Sequence, residues 1–213
     1  MVPGRRGTLP LRTEVRGLRY PCAPEDTMKV IALSDTHIKS GPITGALPEG
    51  LVKLIRQADM VIHAGDFVTH QVYDELSDIC RLEAVHGNMD AASLKKLLPE
   101  RKIIKARGVK IGIIHEAALS IHDTTGAGYM AREMDVDILV FGHIHKPLID
   151  RSDVLLLCPG SPTAPRLSEP SAVELIIDAG NISGKVITLE GTRCEALESM
   201  GVFRTDNNIE RSS

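Results

Sequence analysis

The chain has 213 residues, of which 43% are hydrophobic and only 3% aromatic, and this favours one substantial domain with an aliphatic core. So few aromatic side chains offer little surface for stacking bases, which counts against single-stranded nucleic-acid binding. Residues 1–27 hold five arginines and three acids, so the rest of the chain has 20 basic and 25 acidic residues, and its charge of −5 disfavours non-specific binding to polyanions.

The first segment, residues 1–27, has no periodic apolar pattern and contains four prolines, which predicts a disordered leader. It lacks the apolar stretch of a signal peptide, and no run in the sequence is long enough to span a membrane. Four scattered cysteines without CxxC spacing suit a reducing compartment, so we expect a cytoplasmic protein. We expect a folded domain over residues 28–190 and a loosely ordered polar tail over residues 191–213.

Strands and helices alternate through the first half of this domain. Short apolar runs at residues 30–33, 60–62 and 83–85 predict three buried strands. Apolar residues at helical spacing predict a helix that begins at Pro48 and a second helix over residues 72–79. This alternation is typical of α/β proteins.

The second half begins with a third predicted helix, for which Asp90 is expected to be the N-cap and Pro99 to mark the end. Strands dominate afterwards, with a hairpin turn predicted at Arg107-Gly108 and one further helix around Met130. The remaining strand-like segments lie at residues 138–141, 154–157, 173–177 and 186–189. The whole order predicts an α/β protein with a mixed sheet or two packed sheets.

Residues able to bind metals follow five of the predicted strands. They are Asp35 and His37, Asp66, Asn88, His115, and His143 and His145. In open α/β sheets, sites gather beyond the carboxyl ends of the strands, so these side chains are expected to lie close together. Their oxygen and imidazole donors suit Mn²⁺, Fe²⁺, Ni²⁺, Zn²⁺ or Mg²⁺.

Each fragment alone is a weak indication. Asp35-Thr36-His37 is a common tripeptide, and Gly-Asp or Gly-Asn usually marks a turn. The pair His143 and His145 is a natural chelating arrangement, although two loop histidines would look the same. The ordered set, with each fragment placed after a strand, is hard to obtain by chance.

The series Asp-x-His, Gly-Asp, Gly-Asn-x-Asp, His and Gly-His-x-His resembles the signature of the calcineurin-like metallophosphoesterases over residues 28 to about 190. Its details resemble the small prokaryotic phosphodiesterase branch, which is related to a retromer scaffold subunit of the same fold. The resemblance implies a four-layer α/β/β/α sandwich, in which two mixed sheets are flanked by helices and the metals lie at one end. Pro159-Gly160-Ser161 and Pro165-Arg166 are similar to a further family segment, in which Arg166 either orders the loops or forms a surface salt bridge.

The resemblance also implies a site with two divalent metal ions, of which Mn²⁺ is favoured and Ni²⁺, Fe²⁺, Zn²⁺ and Mg²⁺ are alternatives. By position, one ion is held by Asp35, His37 and His145, the other by Asn88, His115 and His143, and Asp66 bridges them. Asn88 and His143 are also expected to be catalytic. Two such ions generate hydroxide from a bound water near neutral pH and stabilise charge on the phosphoryl oxygens.

The chain departs from the family at two places. Many relatives have a histidine after Gly-Asn that protonates the leaving group, whereas here the position is Met89, so substrates with good leaving groups are favoured and Asp90 is left to cap a helix. Relatives in the branch usually have His-Gly-His where this chain has His115-Glu116-Ala117. Glu116 could crowd the metals or accept a hydrogen bond beside them, which predicts weakened or altered activity.

The leading hypothesis is hydrolysis of a phosphodiester, with a small phosphate ester as partner. A phosphomonoesterase is the close alternative, and a protein-interaction scaffold is the alternative from another class. Neither a membrane partner nor a strong nucleic-acid signal is indicated, homo-oligomerisation stays open, and no Gly-x-Gly-x-x-Gly follows the first strand to suggest dinucleotide binding. The other histidines, His63, His70, His86 and His122, are expected to be core or surface residues.

Overall fold

The computed structural model describes residues 27–189 apart from residues 119, 121, 152 and 179. The predictions of a leader and a polar tail therefore lie almost entirely outside the described residues. In chain order the elements are β1 (Thr27–Leu33), α1 (Ile43–Ala46), α2 (Glu49–Arg56), β2 (Met60–Ala64), α3 (His70–Ile79), β3 (Leu82–Val85), α4 (Ala92–Leu97), β4 (Arg101–Ala106), β5 (Val109–Ile114), α5 (Thr125–Glu133), β6 (Ile138–Phe141), β7 (Pro147–Arg151), β8 (Leu155–Pro159), β9 (Ser171–Asp178) and β10 (Asn181–Thr188).

The strands form two mixed five-stranded sheets. The first sheet has the order β10-β9-β1-β2-β3, and the second has the order β4-β5-β6-β8-β7. In the first sheet β1, β2 and β3 are parallel, with Val30 opposite Met60, and in the second sheet β5, β6 and β8 are parallel. The parallel strands occupy one side of the first sheet and the centre of the second, and their carboxyl ends meet at one edge of the molecule.

The core lies between the two sheets. Val30, Ile62, Ile111 and Val140 are fully buried there, in an aliphatic layer that the scarcity of aromatic residues predicts. The helices α1 to α4 cover the outer face of the first sheet, whereas α5 covers the outer face of the second. The predicted α/β fold, a four-layer sandwich of two mixed sheets flanked by helices, is confirmed.

Helix α2 and the β4–β5 hairpin form where their residues predict them. Pro48 precedes α2, whose residues Leu51 and Ile55 are buried. Arg107 and Gly108 have φ values of 49° and 85°, as a two-residue hairpin turn with positive φ at both positions requires. The hairpin pairs β4 and β5 antiparallel.

Three local features differ from the sequence expectations. The edge strand β7 and the short helix α1 are additional elements. Asp90 is not the N-cap of α4, because that position is held by Ala91 without a side-chain hydrogen bond. The Asp90 carboxylate binds other backbone groups at the candidate site.

Within the described residues, no helix is both long enough and apolar enough to cross a membrane. Among the described residues, Cys80 and Cys158 are free thiols. Burial raises the pKa of the Cys80 thiol to about 11, and it raises the pKa of Cys158 further, so both thiols remain protonated at neutral pH.

Candidate metal centre

All seven residues predicted as ligands lie at the carboxyl edge shared by the two sheets. Asp35 and His37 follow β1, Asp66 follows β2 and Asn88 follows β3, all in the first sheet. The second sheet contributes His115 after β5, and His143 and His145 after β6. The site therefore forms only where the two sheets meet.

Five of these seven residues have left-handed backbone conformations. Their φ values are 53° for Asp35, 44° for His37, 61° for Asp66, 71° for His143 and 55° for His145. Non-glycine residues with positive φ are uncommon, although aspartate and histidine tolerate them better than most. Each such residue turns the chain sharply just after its strand, and this brings side chains that would otherwise diverge to one point.

The glycines of the motifs are required by close packing. A Cβ atom on Gly87 would collide with Oδ1 of Asp66 and lie 2.6 Å from its backbone nitrogen. A Cβ atom on Gly142 would lie 2.9 Å from the carbonyl oxygen of Ala64 and 3.0 Å from Oδ2 of Asp35. The contacts with the backbone atoms of Asp66 and Ala64 are shorter than real Cβ atoms show, so a side chain at either position would displace the loops that carry the carboxylates.

One half of the site contains Asp35, His37 and His145, whose ligand atoms lie within 4.8 Å of one another. The Nε2 atom of His145 lies 3.2 Å from Oδ1 of Asp35 and 3.2 Å from Nε2 of His37. The two rings are stacked with their centroids 4.9 Å apart. The backbone nitrogen of His143 donates a hydrogen bond of 3.0 Å to Oδ2 of Asp35, which ties the two sheets together at this point.

The other half contains Asp66, Asn88 and His115. The Nε2 atom of His115 lies 3.0 Å from Oδ1 of Asn88 and 3.4 Å from Oδ2 of Asp66. The same Oδ2 atom lies 3.4 Å from Nε2 of His37 in the first half. Asp66 therefore stands between the two halves.

Backbone carbonyls fix the orientation of two imidazoles. Nδ1 of His115 donates a hydrogen bond of 2.7 Å to Ala64, and Nδ1 of His145 donates one of 2.6 Å to Ala164. Because a carbonyl only accepts, each Nδ1 carries hydrogen, and the Nε2 of a neutral ring presents a lone pair to the site. At His145 this lone pair faces the Asp35 carboxylate without a hydrogen between them, an arrangement that a divalent cation would satisfy.

Burial and charge shift the pKa values of these groups in opposite directions. Burial lowers the pKa of His145 and of His37, so both rings favour the neutral form that binds metals. Burial also acts to lower the pKa of His115, but the hydrogen bond and charge of Asp66 outweigh it and the pKa is raised. Burial acts to raise the pKa of Asp66, which His115 nevertheless holds below its usual value. In the metal-free protein His115 and Asp66 therefore stabilise each other's charged forms.

Asp90 has a structural role that the sequence did not predict. Its Oδ2 accepts hydrogen bonds from the backbone nitrogens of Asp66 and Gly87, at 3.1 and 2.7 Å, and its Oδ1 accepts one of 2.7 Å from Val68. Val68 has a φ of 78°, an unfavourable value for a β-branched residue. The buried carboxylate therefore holds the strained loop after β2 against the loop after β3. The spacing of Gly-Asn-x-Asp is the only signal that could have indicated it.

The two departures from the family lie at the open side of the site. The Met89 side chain is exposed, while its backbone nitrogen donates a hydrogen bond of 2.7 Å to Oδ1 of Asp66. The Glu116 side chain is 58% exposed, and its Oε1 lies 3.9 Å from Nδ1 of His143. Glu116 thus reaches the site from solvent and does not crowd it from within.

The segment after β8 supports the loop after β1. The Ser161 hydroxyl donates a hydrogen bond of 2.6 Å to the carbonyl of Asp35, and the Thr163 hydroxyl donates one to the carbonyl of Thr36. The Arg166 side chain is exposed, and its positive charge contributes to the lowered pKa of His37. Sequence reasoning missed the two hydroxyl contacts, since Ser and Thr carry no distinctive spacing here.

The remaining histidines lie outside the cluster. His63 is fully buried, stacks on Phe67 with ring centroids 3.6 Å apart, and contacts the Thr36 hydroxyl through Nε2 at 3.2 Å. His70 and His86 are partly buried, and His122 is exposed. Their placement agrees with the expectation of core and surface residues.

Comparison with known proteins identifies the family. The calcineurin-like phosphoesterase superfamily domain matches residues 28–187. The chain belongs to the calcineurin-like phosphoesterases. A probable metallophosphoesterase from Methanothermobacter thermautotrophicus is 32% identical over 171 residues, which cover 80% of this chain and 98% of that protein. This family membership implies a phosphoric ester hydrolase that uses divalent metal ions.

Two solved structures of similar fold belong to proteins that are described as having different roles. A predicted phosphoesterase from Streptococcus pneumoniae is 26% identical, with a TM-score of 0.60 over 76% of this chain and 90% of that chain. Wild-type Vps29 from Entamoeba histolytica, solved in complex with zinc, is 25% identical, with a TM-score of 0.59 over 76% of this chain and 99% of that chain. The fold therefore occurs in proteins described as phosphoesterases and in a protein-sorting component.

Proposed function

We propose that this chain is a dinuclear metal-dependent phosphoesterase that hydrolyses phosphodiesters. The observation that carries the proposal is the convergence of imidazole nitrogens and carboxylate oxygens on one point, above all Nε2 of His145 and Oδ1 of Asp35, which lie 3.2 Å apart. Nitrogen and oxygen donors without thiolate are compatible with Mn²⁺, which we favour, and with Fe²⁺, Ni²⁺, Zn²⁺ and Mg²⁺.

The seven residues divide into the two ligand sets that the family resemblance implies. The first ion is assigned to Asp35, His37 and His145, the second to Asn88, His115 and His143, and Asp66 is assigned to both. The position of Asp66 Oδ2, at 3.4 Å from one histidine of each set, supports the shared role. A carboxylate between two cations reduces their mutual repulsion.

When bound, the two ions supply a deprotonated water as nucleophile and positive charge for the phosphoryl oxygens. Asn88 is exposed and the His143 side chain is 33% exposed, whereas Asp35, Asp66 and His145 are buried. Substrate would therefore approach over Asn88 and His143, and these two are assigned contacts to the phosphoryl group. The thioether of Met89 has no proton to donate to the leaving group, and this favours diesters of acidic alcohols.

The decisive experiment is an assay of metal-stripped protein with an aryl phosphodiester and an aryl phosphomonoester, with Mn²⁺, Ni²⁺, Mg²⁺ or Zn²⁺ added back. We expect metal-dependent turnover, faster with the diester, that is lost in Asp66→Ala and His115→Ala. His122→Ala is the matched control, because it removes an exposed histidine outside the cluster, and it should keep wild-type turnover. Folded wild-type protein without turnover with any metal would refute the proposal.

The second candidate is a protein-interaction scaffold, which the similarity to Vps29 supports. Because that Vps29 structure is itself a zinc complex, metal binding alone does not separate the two functions. Turnover separates them. A chain that binds metal, lacks turnover with both esters and forms a stable complex with a partner in a pulldown would be a scaffold.

A further inference from the structure

Glu116 has the position of a metal ligand. It directly follows His115, and one of its carboxylate oxygens, one nitrogen of His115 and one nitrogen of His143 all lie within 4.8 Å of one another. Two ligands at about 2.1 Å from the same ion are at most about 4.2 Å apart. The Oε1 atom of Glu116, 3.9 Å from Nδ1 of His143, already meets this limit for that pair, and rotation of the exposed side chain can adjust its distance from His115.

Within the described part of the chain, Glu116 forms its ion pair with a residue of the site itself. Among the described residues, the ion pair recorded for Glu116 is the one with His143, at 3.9 Å. Its neighbours along the chain, Ala117 and Ala118, are buried, so the backbone holds residue 116 at the rim of the site. The carboxylate stands on the open side, where an ion bound by His115 and His143 would otherwise face only solvent.

We infer that Glu116 is an additional protein ligand of the second metal ion, beside Asp66, Asn88, His115 and His143. The inference rests on the proposed two-metal site. It gives this ion three oxygen donors and two imidazole nitrogens, a set that shifts preference towards harder ions such as Mn²⁺ and Mg²⁺ and away from Zn²⁺.

The added carboxylate also determines which esters the site attracts. Together, Asp35, Asp66 and Glu116 carry three negative charges, which offset part of the four positive charges of two divalent ions. A phosphomonoester is largely a dianion above its second pKa of about 6, whereas a diester carries one charge. The lower positive charge of the site weakens attraction to the dianion more than to the monoanion, so Glu116 acts as a specificity determinant for diesters.

Calorimetric titration of Mn²⁺ into metal-stripped protein tests the assignment without relying on activity. Wild type should bind two ions. Glu116→Ala should weaken one of the two sites at least tenfold and leave the other within twofold, since even indirect metal partners contribute roughly 10–100-fold to affinity. Glu116→Gln, which keeps an amide oxygen, should give an intermediate loss. Glu100→Gln removes an exposed carboxylate outside the cluster and should leave both sites unchanged.

Kinetics provides the second measurement. The ratio of kcat/KM for the diester to that for the monoester should fall in Glu116→Ala and stay constant in Glu100→Gln. Equal Mn²⁺ affinities in Glu116→Ala and wild type would overturn the inference, and a wild type that binds fewer than two ions would overturn it together with the proposed function. Two Mn²⁺ sites of which one depends on Glu116, in a protein without turnover, would support the ligand assignment and refute only the enzyme.

Discussion

The Nε2 atom of His145 lies 3.2 Å from Oδ1 of Asp35, and Nδ1 of the same ring donates its hydrogen to Ala164. The neutral imidazole thus directs a lone pair at a buried carboxylate. Such a contact is unfavourable in the metal-free protein and becomes favourable when a cation binds between the two atoms. The metal centre is therefore expected to contribute to folding stability as well as to catalysis.

Metal removal should lower the melting temperature. An ion at 100 times its dissociation constant stabilises the folded state by about 2.7 kcal/mol. For a domain of this size that corresponds to roughly 5–11 °C. Thermal unfolding with chelator and with added Mn²⁺ measures the difference. Asp66→Ala should show little metal-dependent shift, and a wild type that melts at the same temperature in both conditions would contradict the expectation.

Gly87→Ala should damage the site by displacing Asp66. The new Cβ would collide with Asp66 Oδ1, so the carboxylate must move and both metal affinity and turnover should fall at least tenfold. Gly50→Ala is the matched control, because its Cβ meets no atom within 4 Å, and alanine in helix α2 should stabilise by up to about 1 kcal/mol. Equal Mn²⁺ affinity in Gly87→Ala and wild type would show that this contact is unimportant.

Asp90→Ala should destabilise the protein even without metal. It leaves the backbone nitrogens of Asp66, Val68 and Gly87 without their acceptor, at a cost of about 1–3 kcal/mol for each group that stays buried. Urea unfolding in chelator gives the loss, which should reach at least about 3 kcal/mol in total. Asp78→Asn changes an exposed acid on α3 and should stay within about 0.5 kcal/mol of wild type.

His63 should make the fold sensitive to acid. Burial lowers its pKa to about 3, so between that value and about 6.5 the unfolded chain binds a proton that the folded protein excludes. The free energy of unfolding therefore falls on acidification through this range, by up to about 1.4 kcal/mol per pH unit for this one group. In His63→Leu the slope should be shallower by that amount, whereas His122→Leu should keep the wild-type slope. Urea unfolding in chelator at several pH values provides the measurement, and equal slopes would exclude His63 as the cause.

Met89→His should accelerate the hydrolysis of esters with poor leaving groups. An exposed imidazole at residue 89 would supply the proton donor that the thioether lacks, and general acid catalysis contributes roughly 10²-fold or more when the donor is well placed. Both oxygens of Asp90 are already occupied by backbone donors, so Asp90 is not free to orient the new ring and the gain should be at the low end. Alkyl and aryl diesters compared side by side test this, with Met89→Gln as the control. A uniform change across leaving groups would count against proton donation.

The sequence predicted the elements whose signals are local. The apolar runs of β1, β2 and β6 and the Arg107-Gly108 turn each depend on a few adjacent residues. Strand β7 was missed because it begins at Pro147 and lies half-buried at a sheet edge, so it has neither a continuous apolar run nor alternation. Helix α1 has only four residues, too few for a helical period.

A cluster of the candidate ligands was expected because parallel strands end at a common edge. Its geometry, however, depends on contacts between distant residues, which no short stretch of sequence reveals. The left-handed turns at Asp35 and His143 follow from contacts between loops of different sheets. The position of Asp90 before a helical apolar pattern indicated an N-cap, but its carboxylate instead binds the backbone nitrogen of Gly87 and two backbone nitrogens more than 20 residues away. Long-range pairing of this kind is set by packing and not by local preference.

The division of the seven proposed ligands between the two sheets has a mechanical consequence. The first ion would join Asp35 of one sheet to His145 of the other. It would therefore cross-link the two sheets at the edge that carries the site. With that edge fastened, partial opening would begin at the opposite end, where Thr27 and Arg107 line a cleft of about 300 Å³ between the sheets. Amide exchange in the metal-loaded protein should therefore be slow around Asp66 and fast around the β4–β5 turn, and removal of the metal should largely abolish this gradient.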